Sequence, residues 1–212
     1  MEVDLHMHSC HSNDSRSKPE RIVGRAVSLG LGGIAVTDHN SWAGAREAAK
    51  LAEGRIIIIP GAEIKTVKGD LLALFVSEEI SSRDFGTVID EIKSRGGISI
   101  VPHPADSPKI TTEDLRLADG VEAFNSTCTP RSNRENARVV TELKKPAFSS
   151  SDAHLVREIG NGRTRVPDCM TVEELRKIIL NSPTPSRMEQ SNIPLHRTNA
   201  VFNFGIKGIW QR

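Results

Sequence analysis

Short apolar runs alternate with amphipathic segments along most of the chain. The runs are Val3–Leu5, Gly33–Val36, Arg55–Ile59, Leu71–Val76, Ile98–Val101, Val121–Phe124 and Ala147–Phe148. Their length and apolar or β-branched content predict buried strands. Between them, Pro19–Leu29 carries Ile22, Val23, Ala26 and Val27 on one face, with Ser17 ahead of it as N-cap and Gly30 as stop. Ser41–Ala52 is Ala-rich. Asp84–Arg95 puts Phe85, Val88, Ile89 and Ile92 on one stripe and ends at Gly96-Gly97, and Asn133–Lys144 runs to Pro146. Thr171-Val172-Glu173-Glu174 reads as a capping box opening a helix through Ile178 and Ile179.

Strands separated by helices predict parallel pairing, with Ile56–Ile64 and Leu71–Val76 close enough in sequence to form a hairpin. An α/β barrel and a doubly wound sheet both satisfy this pattern. From Ser182 the texture changes, because Pro183, Pro185 and Pro194 break regular elements. The stretch from 199 to 212 carries Val201, Phe202, Phe204, Ile206, Ile209 and Trp210, which reads as a tail packing on the body. The expected division is a body of 1–181 and a tail of 182–212.

Composition narrows the function classes. A net charge of +1 gives no global field for nucleic acid or an anionic membrane. Aromatics are 4% and Tyr is absent, which argues against a base-stacking surface. Three cysteines without a CxxC spacing fit a reducing compartment. No apolar run approaches a membrane span, so a cytoplasmic protein without membrane contact is expected. The basic excess in the tail (Arg187, Arg197, Lys207 and Arg212 against Glu189) is too small to signal a nucleic-acid partner.

The candidate chemistry sits where the strands end. Of seven histidines, five follow predicted strands: His6, His8, His39, His103 and His154. Glu63 and Asp152 do likewise. Carboxyl ends of parallel strands face one crevice, so these residues converge in space. His6 and His8 lie two apart on extended chain and share a face, as two ligands of one metal would. Glu63 ends a strongly apolar strand, where a carboxylate needs a partner or a cation. His103 is set between two prolines, and Asp152 and His154 repeat the two-apart spacing. Asp14, in the polar loop of Ser12 to Ser15, reads alone as a turn residue. Asp38 reads either as partner to a buried His39 or as a group orienting a ligand. Oxygen and nitrogen donors without thiolate suit zinc, manganese or iron. Arg131 and Arg134 open a helix, as a solvated cap or as phosphate ligands.

The segments DLHMHS, SNDS, TDHN, GAEI, VPHP, VEAFN and SSDAH, in this order over residues 1 to 181, resemble the PHP (polymerase and histidinol phosphatase) family, and in particular its small stand-alone metal-dependent phosphoesterases. The resemblance implies a distorted (β/α)7 TIM-like barrel with a trinuclear centre at the carboxyl ends of the strands. It implies His6, His8, Glu63 and Asp152 on a first metal, Glu63 and His103 on a second, and Asp14, His39 and His154 on a third. Many relatives carry a His, in a pattern like H-L-L-G, where this chain has Asp70-Leu71-Leu72-Ala73. Asp70 is therefore a candidate oxygen ligand, and two or three divalent ions are expected. The implied reaction is hydrolysis of a phosphate mono- or diester by a metal-activated water, with His154 or Asp38 moving a proton. A small-molecule phosphate ester or a nucleotide is the expected substrate. Histidinol-phosphate phosphatase, single-strand nuclease and non-catalytic metal-binding module are the competing readings. The oligomeric state is left open.

Overall fold

A computed structural model describes residues 1–191. In chain order the elements are β1 (Glu2–Asp4), α1 (Pro19–Ser28), β2 (Gly33–Ala35), α2 (Ala43–Ala52), β3 (Ile57–Ile59), β4 (Gly61–Lys65), β5 (Asp70–Leu74), α3 (Phe85–Ser94), β6 (Ile98–Val101), α4 (Thr112–Leu117), β7 (Gly120–Asn125), α5 (Pro130–Leu143), β8 (Ala147–Ser150), β9 (Gly162–Arg165), α6 (Val172–Ile178) and β10 (Thr184–Met188). They build a mixed α/β fold with two five-stranded sheets, ordered β10-β9-β1-β2-β3 and β4-β5-β6-β7-β8. β1, β2 and β3 run parallel, as do β6, β7 and β8. The expected hairpin is present: β4 pairs antiparallel with β5, which pairs antiparallel with β6.

The expected barrel does not close among the described residues, and two local features account for the breaks. Pro60 interrupts the apolar run at Ile59, and a proline has no N–H for a ladder. The run therefore splits into β3 in one sheet and β4 in the other. At the opposite junction the Thr164 hydroxyl stands in for ladder bonds, accepting from Ser149 N at 2.8 Å and donating to Ser149 O at 3.0 Å. Gly162 allows this approach: a Cβ there would lie 2.1 Å from Ser150 O. Isolated parallel bridges, Met7 to Ala153 and His39 to Glu63, tie the sheets together near the strand ends.

Packing beneath those ends is apolar. Val3, Leu5, Ala35, Ile59, Leu72, Leu74, Ile100 and Phe148 form one buried cluster, completed by Leu175 and Ile179 of the α6 region. Elsewhere Trp42 is buried and its indole N–H donates to Val76 O at 2.7 Å. Burying each of the Val, Leu, Ile and Phe side chains stabilises by roughly 1.5–3 kcal/mol.

Several local expectations shift. Lys18, not Ser17, holds the N-cap position of α1, without a side-chain cap bond, and the Ser17 hydroxyl donates to His154 O. α5 begins at Pro130 behind a Thr129 cap, earlier than Asn133. The Thr171 hydroxyl accepts from Glu174 N, but Glu174 reaches past it to Met170 N, so only half of the capping box forms. Part of the expected tail is strand β10, antiparallel to β9. Its apolar stretch from Val201 to Trp210 lies outside the described residues. Among the described residues, no helix is long and apolar enough to cross a membrane.

Candidate metal centre

The carboxyl ends of β1, β2, β6 and β8 and the middle of β4 place the donors. His6 and His8 follow β1, His39 follows β2, His103 follows β6, and Asp152 and His154 follow β8. Glu63 lies inside β4 rather than after β3, brought up by the break at Pro60. The backbone is bent into the left-handed region at His103 (φ 31°) and Asp152 (φ 49°). For residues other than glycine this costs about 1–3 kcal/mol each, so neighbouring contacts must impose it.

The donors form three overlapping groups, each with ligand atoms within 4.8 Å of one another: His8-Asp14-His39-His154, His6-Glu63-His103, and His6-His8-Asp152. Asp14, His39 and His154, expected on a third metal, are thus brought together, with His8 among them. The expected first-metal set is redistributed, because Glu63 groups with His6 and His103. Glu63 Oε1 lies 3.5 Å from His6 Nε2 and 3.4 Å from His103 Nε2. Glu63 Oε2 lies 3.5 Å from His8 Nε2 and 2.8 Å from His39 Nδ1. Yet neither oxygen has hydrogen-bond geometry with any described group, although Glu63 is 1% exposed.

Asp152 differs. Its Oδ2 accepts from Asn125 Nδ2 at 3.2 Å and Thr127 Oγ1 at 2.8 Å. Its Oδ1 faces His6 Nε2 at 3.4 Å and His8 Nε2 at 3.2 Å. One oxygen is thereby committed to protein and the other presented to the centre. Asp14 Oδ2 lies 3.0 Å from His39 Nε2 and 3.1 Å from His154 Nε2.

Charge crowding separates the imidazoles. Burial, then the neighbouring His154, takes His8 down to about 4, so it is neutral. Burial also works against the charged form of His39, but Asp14 and Glu63 outweigh it and raise the group to about 10. At His103, Glu63 and then Asp152 overcome burial and raise the imidazole to about 9. At Glu63, burial is outweighed by His6, His103 and His39, which hold the carboxyl well below its ordinary value.

Four expected site residues fall outside these groups. Asp38 Oδ1 accepts from Ser9 N at 2.6 Å and its Oδ2 from Ser9 Oγ at 2.7 Å. It fastens the loop after His8 rather than orienting His39. Asp70 has a buried Oδ1 without a hydrogen bond, and burial with nearby Glu63 pushes its carboxyl pKa up. It stands beside the donor groups, not within one. Arg131 and Arg134 line a cavity of about 520 Å³ with Ala105, Ser132, Glu135 and Arg138.

Glu122, in the VEAFN segment, has no part in the expected ligand sets. It is fully buried and accepts from His6 Nδ1 at 3.1 Å, His103 N at 3.1 Å and Asn125 Nδ2 at 2.9 Å. The signal was an acid inside the apolar run Val121–Phe124, the same signal that singled out Glu63.

The PHP domain model matches residues 4–143 and the PHP-associated model matches residues 130–182. The chain belongs to the PHP domain family. An uncharacterised protein of Methanocaldococcus jannaschii is 33% identical over 70% of this chain and 96% of its own length. The 5'-3' exoribonuclease Rnm of Salmonella typhimurium is 42% identical over a shorter segment, 30% of this chain and 22% of Rnm. Among solved structures, a two-domain Bacteroides vulgatus protein containing a predicted PHP-like metal-dependent phosphoesterase superposes with a TM-score of 0.75 at 20% identity. That match covers 89% of this chain and 65% of the other, so this chain spans about two thirds of it.

Proposed function

We propose that this chain is a metal-dependent phosphoesterase that hydrolyses a phosphate mono- or diester. Glu63 carries the reading: a buried carboxylate with two oxygens that make no hydrogen bond, surrounded by four imidazoles. Burying such a group without compensation is costly, and divalent cations are the compensation this donor set fits. His6, His8 and Asp152 would hold one ion, Glu63 with His103 a second, and Asp14, His39 and His154 a third, so two or three zinc, manganese or iron ions suit the site. Such ions, when bound, supply Lewis-acid polarisation of a phosphoryl oxygen and a water acidic enough to attack at neutral pH.

The chain's own groups do the rest. Asp14 holds His39 and His154 at the rim; with two ions and no third, His154 Nε2 would serve to move a proton to or from the substrate. Asp38 has both oxygens committed to Ser9 and is assigned a structural part only. A thiol nucleophile does not fit at Cys128, because burial and Asp106 push its pKa up and suppress the thiolate. Arg131 and Arg134 would hold a substrate phosphate beside Ala105, two residues beyond His103. A small phosphate ester or nucleotide is the expected substrate. The segmental likeness to Rnm favours a second reading, removal of nucleotides from a single-stranded end.

The test is a substrate panel of p-nitrophenyl phosphate, bis-p-nitrophenyl phosphate, nucleotides, histidinol phosphate and a short oligoribonucleotide. The protein should be loaded with Mn²⁺ or Zn²⁺. Hydrolysis abolished by chelator and by His8→Ala is expected. Activity indifferent to both would sink the proposal.

A further inference from the structure

Glu122 touches the two segments on which the proposed site depends, yet it lies behind the donor groups and not among them. One oxygen, Oε1, faces His6 Nδ1 at 3.1 Å. The other, Oε2, accepts from the His103 backbone N–H and from Asn125 Nδ2. A carboxylate only accepts, so His6 Nδ1 carries a proton, and Nε2, which faces Glu63 and Asp152, is the atom left for a cation. The bond to His103 N falls at the residue whose backbone is left-handed, where an imposing contact is needed. Asn125 extends the frame, since the same Nδ2 also donates to Asp152 Oδ2.

We infer that Glu122 is a positioning residue: it fixes the His6 tautomer and pins the His103 turn, so one buried carboxylate prepares donors of two neighbouring cation groups. The inference rests on the metal reading above and adds a residue that no ligand pattern contains. Glu122→Gln is a discriminating change. Two N–H donors, His103 N and Asn125 Nδ2, face the Oε2 position, so the amide oxygen must stay there. The amide nitrogen then faces His6 Nδ1 and makes it an acceptor. The imidazole proton moves to Nε2, the atom required for a cation.

The experiment uses the full chain and Zn²⁺ alone, with affinity read by competition against a chromophoric chelator. It also uses ¹⁵N-histidine NMR of the Zn²⁺-loaded protein. A proton on His6 Nδ1 is expected in the wild type. Glu122→Gln should weaken Zn²⁺ binding about 10–100-fold with an unchanged circular dichroism spectrum. Glu122→Asp, which keeps an acceptor-only group, should bind more tightly than Glu122→Gln. Equal affinity in wild type and Glu122→Gln would overturn the inference while leaving the metal reading standing. A wild type that binds no Zn²⁺ would overturn both. Should Glu122→Gln fail to fold, the wild-type spectrum alone decides: an unprotonated His6 Nδ1 overturns the inference.

Discussion

At the scale of single residues, this protein is governed by which oxygen atoms are committed and which are not. Asp38 and Glu63 are both buried acids near the strand ends, but Ser9 takes both oxygens of Asp38 while those of Glu63 lack hydrogen bonds. Removing Asp38 would leave the buried Ser9 N–H unpaired, and Asp38→Ala should cost about 1–3 kcal/mol in urea unfolding. Its metal content, if the chain still folds, should match wild type; a lost ion would make Asp38 part of the centre. The imidazoles give a second prediction. His103 is raised to about 9 and His39 to about 10, so each carries an extra proton at neutral pH in the metal-free protein. A cation binds the neutral ring, hence that proton must leave. Affinity for Mn²⁺ should therefore rise with pH up to about 9, by about tenfold per pH unit for each proton displaced. Calorimetry showing equal affinity at pH 6.5 and 8.5 would contradict this. Most candidate ligands were legible in sequence because each is an ionisable residue at the end of an apolar run; Asp14, in a polar loop, was not. Glu122 was not, because its role depends on which histidine lies across from it, and that is a tertiary fact.

Among the elements, the longer helices were readable from their apolar stripes, as with Val88, Ile89 and Ile92 of α3. The short ones were not. α4 is one turn and a half, and the Thr111 capping box with Asp114 was the available sign. Asp114 also accepts from Lys68 Nζ at 2.6 Å, tying the β4–β5 turn to the start of α4. Burial works against the ionised Asp114, but Lys68 and Thr111 prevail and hold its carboxyl below the ordinary 3.8. A depressed carboxyl stabilises the fold above its unfolded pKa, and that contribution fades as pH falls through the folded value. Asp114→Asn should thus lower stability by about 1 kcal/mol at pH 7. The gap should shrink below pH 3.8. A gap that does not narrow as pH falls below 3.8 would mean that the charge is irrelevant. Close approach is equally specific at α2. A Cβ on Gly44 would lie 2.0 Å from Asp38 Oδ2 and 2.4 Å from Ser9 Oγ. Gly44→Ala should cost about 1–3 kcal/mol through overpacking, measured by thermal unfolding; an unchanged Tm would refute the contact.

For the whole molecule, alternating strands and helices gave the α/β class and the hairpin, but not the break between sheets. That break depends on Pro60 and on the side-chain pairing of Thr164 with Ser149, neither of which changes the apolar pattern. β9 and β10 escaped notice for a related reason: Gly162–Arg165 and Thr184–Met188 are polar strands at the end of a sheet. What survives the open junctions is the convergence of strand ends, which gathers most of the donors around Glu63 of β4 and the Asp14 loop. The most direct test of the account is the metal content per chain, by elemental mass spectrometry after loading with Mn²⁺ or Zn²⁺ and dialysis, for wild type and Glu63→Gln. The account predicts about two to three ions in the wild type and at least one fewer in the variant. A wild type that retains none, or a variant that matches it, would contradict a centre built on Glu63.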